Sequence, residues 1–295
     1  MKAGEQGFLL LTCQLGNPER KPLTTAQFRN LASRISAMEK PSQDRGLTPE
    51  DLIAIGYDRG MASRIVGLLE DKELLQRYLY RGKLRDCYPI SRVSEGYPRV
   101  VRKRLGLDAP SCLWAKGDSA LLDTPTVALV GSRDLQEPNR AFAEMVGREA
   151  ARQGITLVSG NARGADRTAQ EACLDAGGRV ISIVADELQK YPLCRNVLYL
   201  SEEGYDLAFS GYRALNRNHV IHALGYLTCV AQCTMGTGGT WDGSLKNLRN
   251  HWSPLFCFDD GSQVAAELKQ MGATLIQVQE LSDFSALLSN IISLL

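Results

Sequence analysis

The segment VALVGSRDL at residues 127–135, followed by LVSGNARGAD at residues 157–166, decides the fold class of this 295-residue chain. Each segment begins with an apolar run of strand length, and each run ends at a glycine with an arginine two or three residues later. Continuous apolar runs are typical of strands covered on both faces, as in parallel sheets. Ligands of such sheets bind outside the carboxyl ends of the strands. The two segments therefore predict a fold and a binding site together.

The chain from residue 126 onward alternates between apolar runs and amphipathic helical patterns. Runs such as RVISIVA at residues 179–185 and PLFCF at residues 254–258 are separated by helical patterns such as NRAFAEMVGREAARQG at residues 139–154. This alternation predicts an α/β fold, a doubly wound and mostly parallel sheet with helices on both faces.

The chain divides into two predicted domains. Residues 1–88 read as a small N-terminal helical module, in which Thr48 caps a helix that starts at Pro49. For this module we favour a packing or dimer-contact role over DNA binding. Residues 89–295 form the sheet domain, and its first part, residues 89–125, is a Pro/Gly-punctuated connector that we expect to pack on the sheet edge.

Composition limits the classes of partner. Lys and Arg number 34 against 33 Asp and Glu, so the net charge is only +1 and any polyanion site must be a local patch. No apolar run is long enough to span a bilayer, and the N-terminus lacks a signal-peptide pattern. We therefore expect a cytoplasmic protein without a membrane partner, whose cysteines are reduced and, within apolar runs, buried.

The first two strand ends predict a phosphate site. Glycine lets a backbone approach a ligand closely, the arginine fork suits phosphate oxygens, and the N–H groups at a helix N-terminus attract anions. The segments are neither a G-x-G-x-x-G fingerprint nor a Walker A loop. The predicted ligand-binding residues are Gly131, Ser132, Arg133, Gly160, Asn161, Arg163, Gly164, Asp166 and Arg167.

A third glycine-rich segment, GTGGTWDG at residues 236–243, is predicted to form a flexible turn on the same rim, between a strand and a helix. It adds Gly238, Gly239 and Thr240 to the predicted site. The preceding helical pattern adds Arg217 and Asn218. Secondary basic contacts are expected from Arg213, Lys246 and Arg249.

Other interpretations of these residues exist. Arg133 and Arg163 could form surface ion pairs with Asp134 and Asp166, but their place at two strand ends favours phosphate. Asp166 is interpreted as orienting Arg163 or as a helix N-terminal residue, not as a general base. A zinc site built from His219, His222, Cys229 and Cys233 is disfavoured because helix-then-strand geometry separates the two pairs. We predict no metal and no cofactor.

Several segments together resemble the DNA-processing protein A family (DprA, also called Smf). They are YPRVVRKRLGLDAPSCLWAKGD followed by TVALVGSRDL, LVSGNARGADRTAQEACLDAGGRVISIVADELQKYP, and NRNHVI. The resemblance covers roughly residues 48–260 and implies a Rossmann-like domain of the wider SLOG group. By position it also implies a binding role for Ser159. It implies a non-catalytic protein that binds single-stranded DNA in DNA processing, recombination or uptake, usually as a homodimer, and hands the strand to a RecA-type recombinase.

The sequence also departs from this family. Gln170 stands where the family often has histidine, His219 replaces the last arginine of an R-N-R segment, and we expect no C-terminal winged-helix module. The main alternative is a nucleotide sensor or nucleotide phosphoribohydrolase of the SLOG group, whose P-G-G-x-G-T-x-x-E pattern GTGGTWDG partly matches. Catalysis is the weaker interpretation because Gly243 occupies the position of the glutamate that would stabilise a ribosyl cation.

Overall fold

The computed structural model describes residues 1–38 and 46–292, and nine strands of this part of the chain form one sheet in the order β1-β2-β6-β5-β4-β3-β7-β8-β9. The strands from β6 to β9 in this order are parallel, and only β1 and β2 are antiparallel to their neighbours. The predicted α/β fold is confirmed. The strands are β1 Tyr88–Ser91, β2 Cys112–Lys116, β3 Thr126–Val130, β4 Thr156–Ser159, β5 Arg179–Ile183, β6 Val197–Ser201, β7 Leu227–Val230, β8 Leu255–Phe258 and β9 Thr274–Ile276.

Helices cover both faces of the sheet and give two apolar cores. One core joins the sheet to the helices Glu137–Arg152, Ala165–Asp175 and Phe284–Ile292, and the other joins it to the helices Arg99–Leu105, Asn218–Leu224, Gly238–Asn250 and Gln263–Gln270. Every residue of β3, β4, β7 and β8 is buried, as continuous apolar runs require. The helices of the sheet domain are α6 Arg99–Leu105, α7 Glu137–Arg152, α8 Ala165–Asp175, α9 Gly211–Asn216, α10 Asn218–Leu224, α11 Gly238–Asn250, α12 Gln263–Gln270 and α13 Phe284–Ile292.

The N-terminal part is helical, as predicted, and packs on the sheet edge. Thr48 caps its helix by accepting a hydrogen bond from the Asp51 N–H. Tyr78 stacks on Tyr205 and meets the edge of Trp114 on β2, so the helices and the sheet share an aromatic core. The helices are α1 Ala3–Thr12, α2 Thr25–Ser36, α3 Pro49–Ala54, α4 Arg59–Glu70 and α5 Lys72–Lys83.

Three local features differ from the sequence predictions. The connector, predicted only to pack on the sheet edge, is part of the sheet and supplies most of β1 and all of β2. The GTGGTWDG segment is helical from Gly238, because α11 begins there and not after a flexible turn. The helical pattern that carries Arg217 and Asn218 forms two helices, α9 and α10, which meet at Arg217. No helix in the described ranges is long and apolar enough to cross a membrane.

Candidate functional site at the strand ends

The candidate site lies at the topological switch point of the sheet, between β3 and β7. From β3 the chain adds β4, β5 and β6 on one side, whereas β7, β8 and β9 lie on the other. The loops after β3 and β7 must therefore diverge and leave a crevice at their carboxyl ends. A hydrogen bond of 2.8 Å from the Ser132 N–H to the Gln232 carbonyl marks the point at which the two loops separate.

The two glycine turns quoted from the sequence pack directly on each other. A Cβ on Gly164, which has φ +88°, would lie 2.4 Å from the carbonyl oxygens of both Ser132 and Arg133. A Cβ on Gly131 would lie 2.4 Å from the Cβ of Ala165, whose N–H donates to the Ser132 carbonyl at 3.0 Å. Only glycines allow this approach, so the two turns lie side by side at one edge of the sheet, while their binding role stays a prediction.

The N-terminus of α11 forms the third wall. Thr240 Oγ1 donates to the Gly131 carbonyl at 2.9 Å, and Asn218 Nδ2 donates to the Gly239 carbonyl at 2.9 Å. Thr237 precedes the helix without a side-chain cap. The first N–H groups of α11 are therefore left for water or for an anion.

Two adjoining cavities occupy the crevice, one of 470 Å³ between the β3 turn and α11, and one of 340 Å³ between the β4 turn and the loop before α9. Arg133, Ala162, Ala214 and Arg217 line both of them. Most predicted site residues line one cavity or the other, namely Gly131, Ser132, Arg133, Gly160, Asn161, Arg163, Asp166, Arg167, Arg217, Asn218, Gly238, Gly239 and Thr240.

Arg217 and Asp166 form a buried ion pair between the cavities. Their charged groups lie 3.6 Å apart, and each side chain is less than a tenth exposed. The Arg217 guanidinium covers Gly160 so closely that any Cβ there would overlap it, and the Arg217 Nε has no hydrogen-bond partner. Burial raises the pKa of Asp166 and lowers the pKa of Arg217, while each charge opposes the shift in the other. Arg217 also lines both cavities, so its guanidinium adds positive charge to the walls that a phosphate would meet.

Arg163 forms a surface ion pair with Asp134, one of the two partners named by the alternative interpretation of this arginine. The two charged groups lie 2.7 Å apart, and both side chains are mostly exposed. The interpretation of Asp166 as orienting Arg163 is therefore wrong, because Asp166 pairs with the buried Arg217. The other interpretation agrees with the structure, since Asp166 lies in the first turn of α8. Exposed pairs such as Arg163–Asp134 contribute at most about 1 kcal/mol, so an anion can compete for Arg163. Within the described residues, Arg133 and Arg167 are exposed and have no ion-pair partner.

Two predicted ligand residues have structural roles. Ser159 is fully buried, and its Oγ accepts a hydrogen bond of 2.6 Å from Gln170 Nε2, which also reaches Ser182 Oγ at 3.3 Å. Gln170 stands at the position where the family often has histidine, and here its side chain links β4 to β5 through these two hydrogen bonds. Gly164 lies behind the β3 turn and does not line either cavity.

The three secondary basic contacts are corrected by the structure. Arg213 is buried and donates to the carbonyls of Ala185, Leu207 and Ala208, because its helix turns it toward the sheet. Lys246 and Arg249 lie on a separate cleft of 1090 Å³ below the helical module, and Lys246 pairs with Asp242 at 2.8 Å.

Sequence reasoning missed two aromatic residues of the smaller cavity. Phe209 is 59% exposed, and Tyr191 donates its hydroxyl to Asp186 at 2.7 Å. An aromatic residue inside the polar loop before α9 was the only signal that could have indicated Phe209. As for the zinc alternative, no group of three metal-ligating side chains is close enough for a metal within residues 1–38 and 46–292, and His222 is buried 3.3 Å from Thr228.

Comparison with known proteins identifies the family. The family model described as DNA recombination-mediator protein A matches residues 89–286. The DNA processing protein DprA of Streptococcus pneumoniae is 31% identical over 206 residues, which are 65% of this chain and 69% of that protein. The Bacillus subtilis DprA is 29% identical over 164 residues, 52% of this chain and 54% of that protein.

Solved structures of such proteins share the fold. The X-ray structure of the S. pneumoniae DprA superimposes with a TM-score of 0.74 at 23% identity, covering 95% of this chain and 98% of that one. A Helicobacter pylori DNA processing protein A, whose structure is described as showing a single-stranded DNA binding mode, gives a TM-score of 0.58 at 26% identity, covering 69% and 96%. The paired glycine turns, the parallel sheet and the matched residues 89–286 lead to one conclusion, that the chain belongs to the DNA recombination-mediator protein A family.

Proposed function

We propose that the chain binds single-stranded DNA at the two adjoining cavities and acts in DNA processing without catalysing a reaction. The observation that carries the proposal is the charge at the switch point. Among the described residues, four arginines (133, 163, 167 and 217) and only two aspartates (166 and 186) line the cavities. Guanidinium groups and free helix N-termini are the groups that bind phosphate oxygens.

Phe209 supports the preference for a single strand. Its ring is mostly exposed and lines the cavity that Arg163 and Arg167 also line. The unpaired bases of a single strand can stack on such a ring while the phosphates contact the arginines. The bases of a duplex are already stacked and paired, so they gain nothing there. The single-stranded DNA binding described for the H. pylori relative supports the same ligand.

The carboxylates of the site favour binding over catalysis. Asp166, which lines the larger cavity, accepts a hydrogen bond from the Ala162 N–H at 3.1 Å and pairs with Arg217. Gly243, at the position of the phosphoribohydrolase glutamate, is buried in α11 against Asn218 and His222. A carboxylate free to stabilise a ribosyl cation is therefore not among the described residues of the larger cavity.

Fluorescence anisotropy of a labelled oligonucleotide tests the proposal. We expect the single strand to bind more tightly than the matched duplex, with log affinity falling by about 0.7 per neutralised phosphate for each tenfold rise in salt. Equal affinity for duplex and single strand, or no salt dependence, would contradict it. A panel of mononucleotides tests the alternative, and release of free base at roughly 1 per second or faster would establish an enzyme instead.

Two finer expectations rest on the family resemblance. One is that the chain delivers the strand to a RecA-type recombinase, in recombination or DNA uptake, and the other is that it forms a homodimer. Light scattering during gel filtration measures the assembly state directly, and a monomeric mass at micromolar concentration would remove the second expectation.

A further inference from the structure

A groove outside the DNA site lies between the helical module and the connector. Its volume is 480 Å³, and α1, α2 and residues 92–111 enclose it. Phe8 and Phe28 form an apolar floor, with their rings edge to face and 4.8 Å between centroids. Val93 and Leu107 on the wall are 50% and 45% exposed. Large apolar side chains that remain exposed beside a concave surface are typical of interaction sites.

Three arginines also line this surface, which we call the arginine groove. Arg29, Arg92 and Arg102 have no ion-pair partner, and no carboxylate lines the groove, within the part of the chain that the structure describes. Burial lowers the pKa of Arg92, and the charges of Arg102 and Arg29 lower it further. The three cations thus repel one another without a counter-ion, and an anionic partner would relieve this repulsion.

The backbone holds two of these cations in place. Arg92 donates to the carbonyls of Gly106 at 2.6 Å and Ala109 at 3.2 Å. Arg102 donates to the carbonyls of Arg92 at 2.8 Å and Ser94 at 3.3 Å. Because these bonds fix the arginines before any partner arrives, a partner loses less side-chain entropy on binding.

We propose that the arginine groove docks an acidic, amphipathic segment of a partner protein. Its apolar side chains would pack on Phe28, Val93 and Leu107, and its carboxylates would bind the three arginines. A helix that presents apolar residues at i, i+3 and i+4 beside acidic ones fits a groove with an apolar floor and a cationic rim.

Charge along the surface favours a protein partner over a continuation of the DNA strand. The 1090 Å³ cleft lies between the groove and the DNA site, since it shares Thr12 and Ser111 with the groove and Leu215 and Asn218 with the larger cavity. Its lining includes four carboxylates, from Asp108, Glu202, Glu203 and Asp242, and two side-chain cations, Arg249 and Lys246, the latter paired with Asp242. A phosphodiester chain crossing the cleft would therefore meet more acidic than basic side chains. In addition, Phe8 is only 5% exposed, so it offers no face for a base.

Fluorescence anisotropy of a labelled synthetic peptide tests the proposal on the full chain. The probe is about 16 residues long, with leucines at i, i+3 and i+4 spacing and glutamates elsewhere. A peptide of the same length with lysines in place of the glutamates is the charge control. We expect the acidic peptide alone to bind, and Arg29→Glu and Val93→Ser each to weaken it about tenfold or more. Arg77→Glu on the exposed face of α5 is the matched control and should leave binding unchanged.

The same variants separate this proposal from the DNA site. Arg29→Glu should leave the affinity for a single-stranded oligonucleotide unchanged. No binding of the acidic peptide, or equal binding by wild type and Arg29→Glu, would overturn the proposal. Loss of oligonucleotide affinity in Arg29→Glu would show that the groove belongs to the nucleic-acid surface instead. Circular dichroism of each variant confirms that the fold is intact.

Discussion

Arg217 and Asp166 lie at the centre of the candidate site, and their burial makes them poor probes of it. Removing one member of a buried ion pair leaves the other charge without compensation, which typically costs about 3–5 kcal/mol of stability. A loss of binding in Arg217→Ala would therefore be hard to separate from a loss of folding. Arg133 is the better probe because it lines both cavities, is exposed and has no ion-pair partner among the described residues.

We predict that Arg133→Ala weakens binding of single-stranded DNA by about 1.5–3 kcal/mol, the contribution of a charge-assisted hydrogen bond. Arg133→Lys should recover only part of this loss, because a point charge does not replace a bidentate fork. Arg163→Ala should lose less than Arg133→Ala, since Arg163 must first leave Asp134. Oligonucleotide anisotropy measures all three variants.

The control for this series is Arg148→Ala. Arg148 is an exposed arginine of α7 that pairs with Glu144 at 3.4 Å and lines neither cavity. The substitution Arg148→Ala changes the net charge of the protein by the same amount as Arg133→Ala. Wild-type affinity in Arg133→Ala, or an equal loss in Arg148→Ala, would show that the strand-end turns do not hold the phosphates.

His222 predicts a pH dependence of stability. Its ring is fully buried, and burial, followed by the charge of His219, lowers its pKa to about 3. The unfolded chain has a histidine pKa of about 6.5, so it takes up the proton first, and stability is complete above about pH 6.5 and falls as the pH decreases. We expect His222→Phe to lower the slope of unfolding free energy by up to about 1.4 kcal/mol per pH unit between about pH 6 and pH 4. Urea titrations at several pH values measure this slope, and parallel curves for the two proteins would refute the assignment.

At the level of elements, the close packing of the β3 turn on the start of α8 predicts the effect of Gly164→Ala. The added Cβ would meet two backbone carbonyl oxygens at 2.4 Å in a residue with φ +88°. Backbone strain of this kind costs about 1–3 kcal/mol, and the turn that carries Arg133 must also move. We expect a loss of stability together with about a tenfold loss of oligonucleotide affinity.

Gly177→Ala, at the other end of α8, is the control that separates backbone strain at a positive φ from displacement of the β3 turn. Gly177 has φ +78°, but a Cβ there would meet nothing within 4 Å. This variant should lose about 1 kcal/mol of stability and bind the oligonucleotide normally. If both variants bound equally well, the β3 turn would not need its packing on α8 to hold the ligand.

At the level of the whole molecule, the aromatic core between the helical module and the sheet predicts cooperative unfolding. Tyr78 is 1% exposed, stacks on Tyr205 at 4.5 Å between centroids and donates its hydroxyl to Asp206 at 2.7 Å. Tyr78→Ala should cost about 3–5 kcal/mol and lower a single thermal transition. Its neighbour Tyr80 is 64% exposed, so Tyr80→Ala should change stability by about 0.5 kcal/mol or less. Two separate transitions in the wild type would show that the module folds independently.

Local sequence determined the fold class and the place of the candidate site. Continuous apolar runs such as Thr126–Val130 specify strands buried on both faces, and helices between them require parallel neighbours. The glycines after β3 and β4 then had to meet, because the carboxyl ends of parallel strands lie at one edge. The Thr48 cap was equally predictable, since it depends on residues three positions apart. The division of the chain at residue 88 stays a prediction.

Only the tertiary structure decided which charges line the cavities of the candidate site. Arg213, Arg217 and Lys246 look alike as basic residues near a glycine-rich turn, but one binds buried carbonyls, one lies between the cavities and one pairs with Asp242 on another cleft. Helix phase and the packing of distant elements set these directions. Arg217, the partner of Asp166, lies 51 positions further along the chain. A local sequence pattern does not predict such an ion pair, because the energy of the pair depends on burial and on the distance between the charges in the folded molecule.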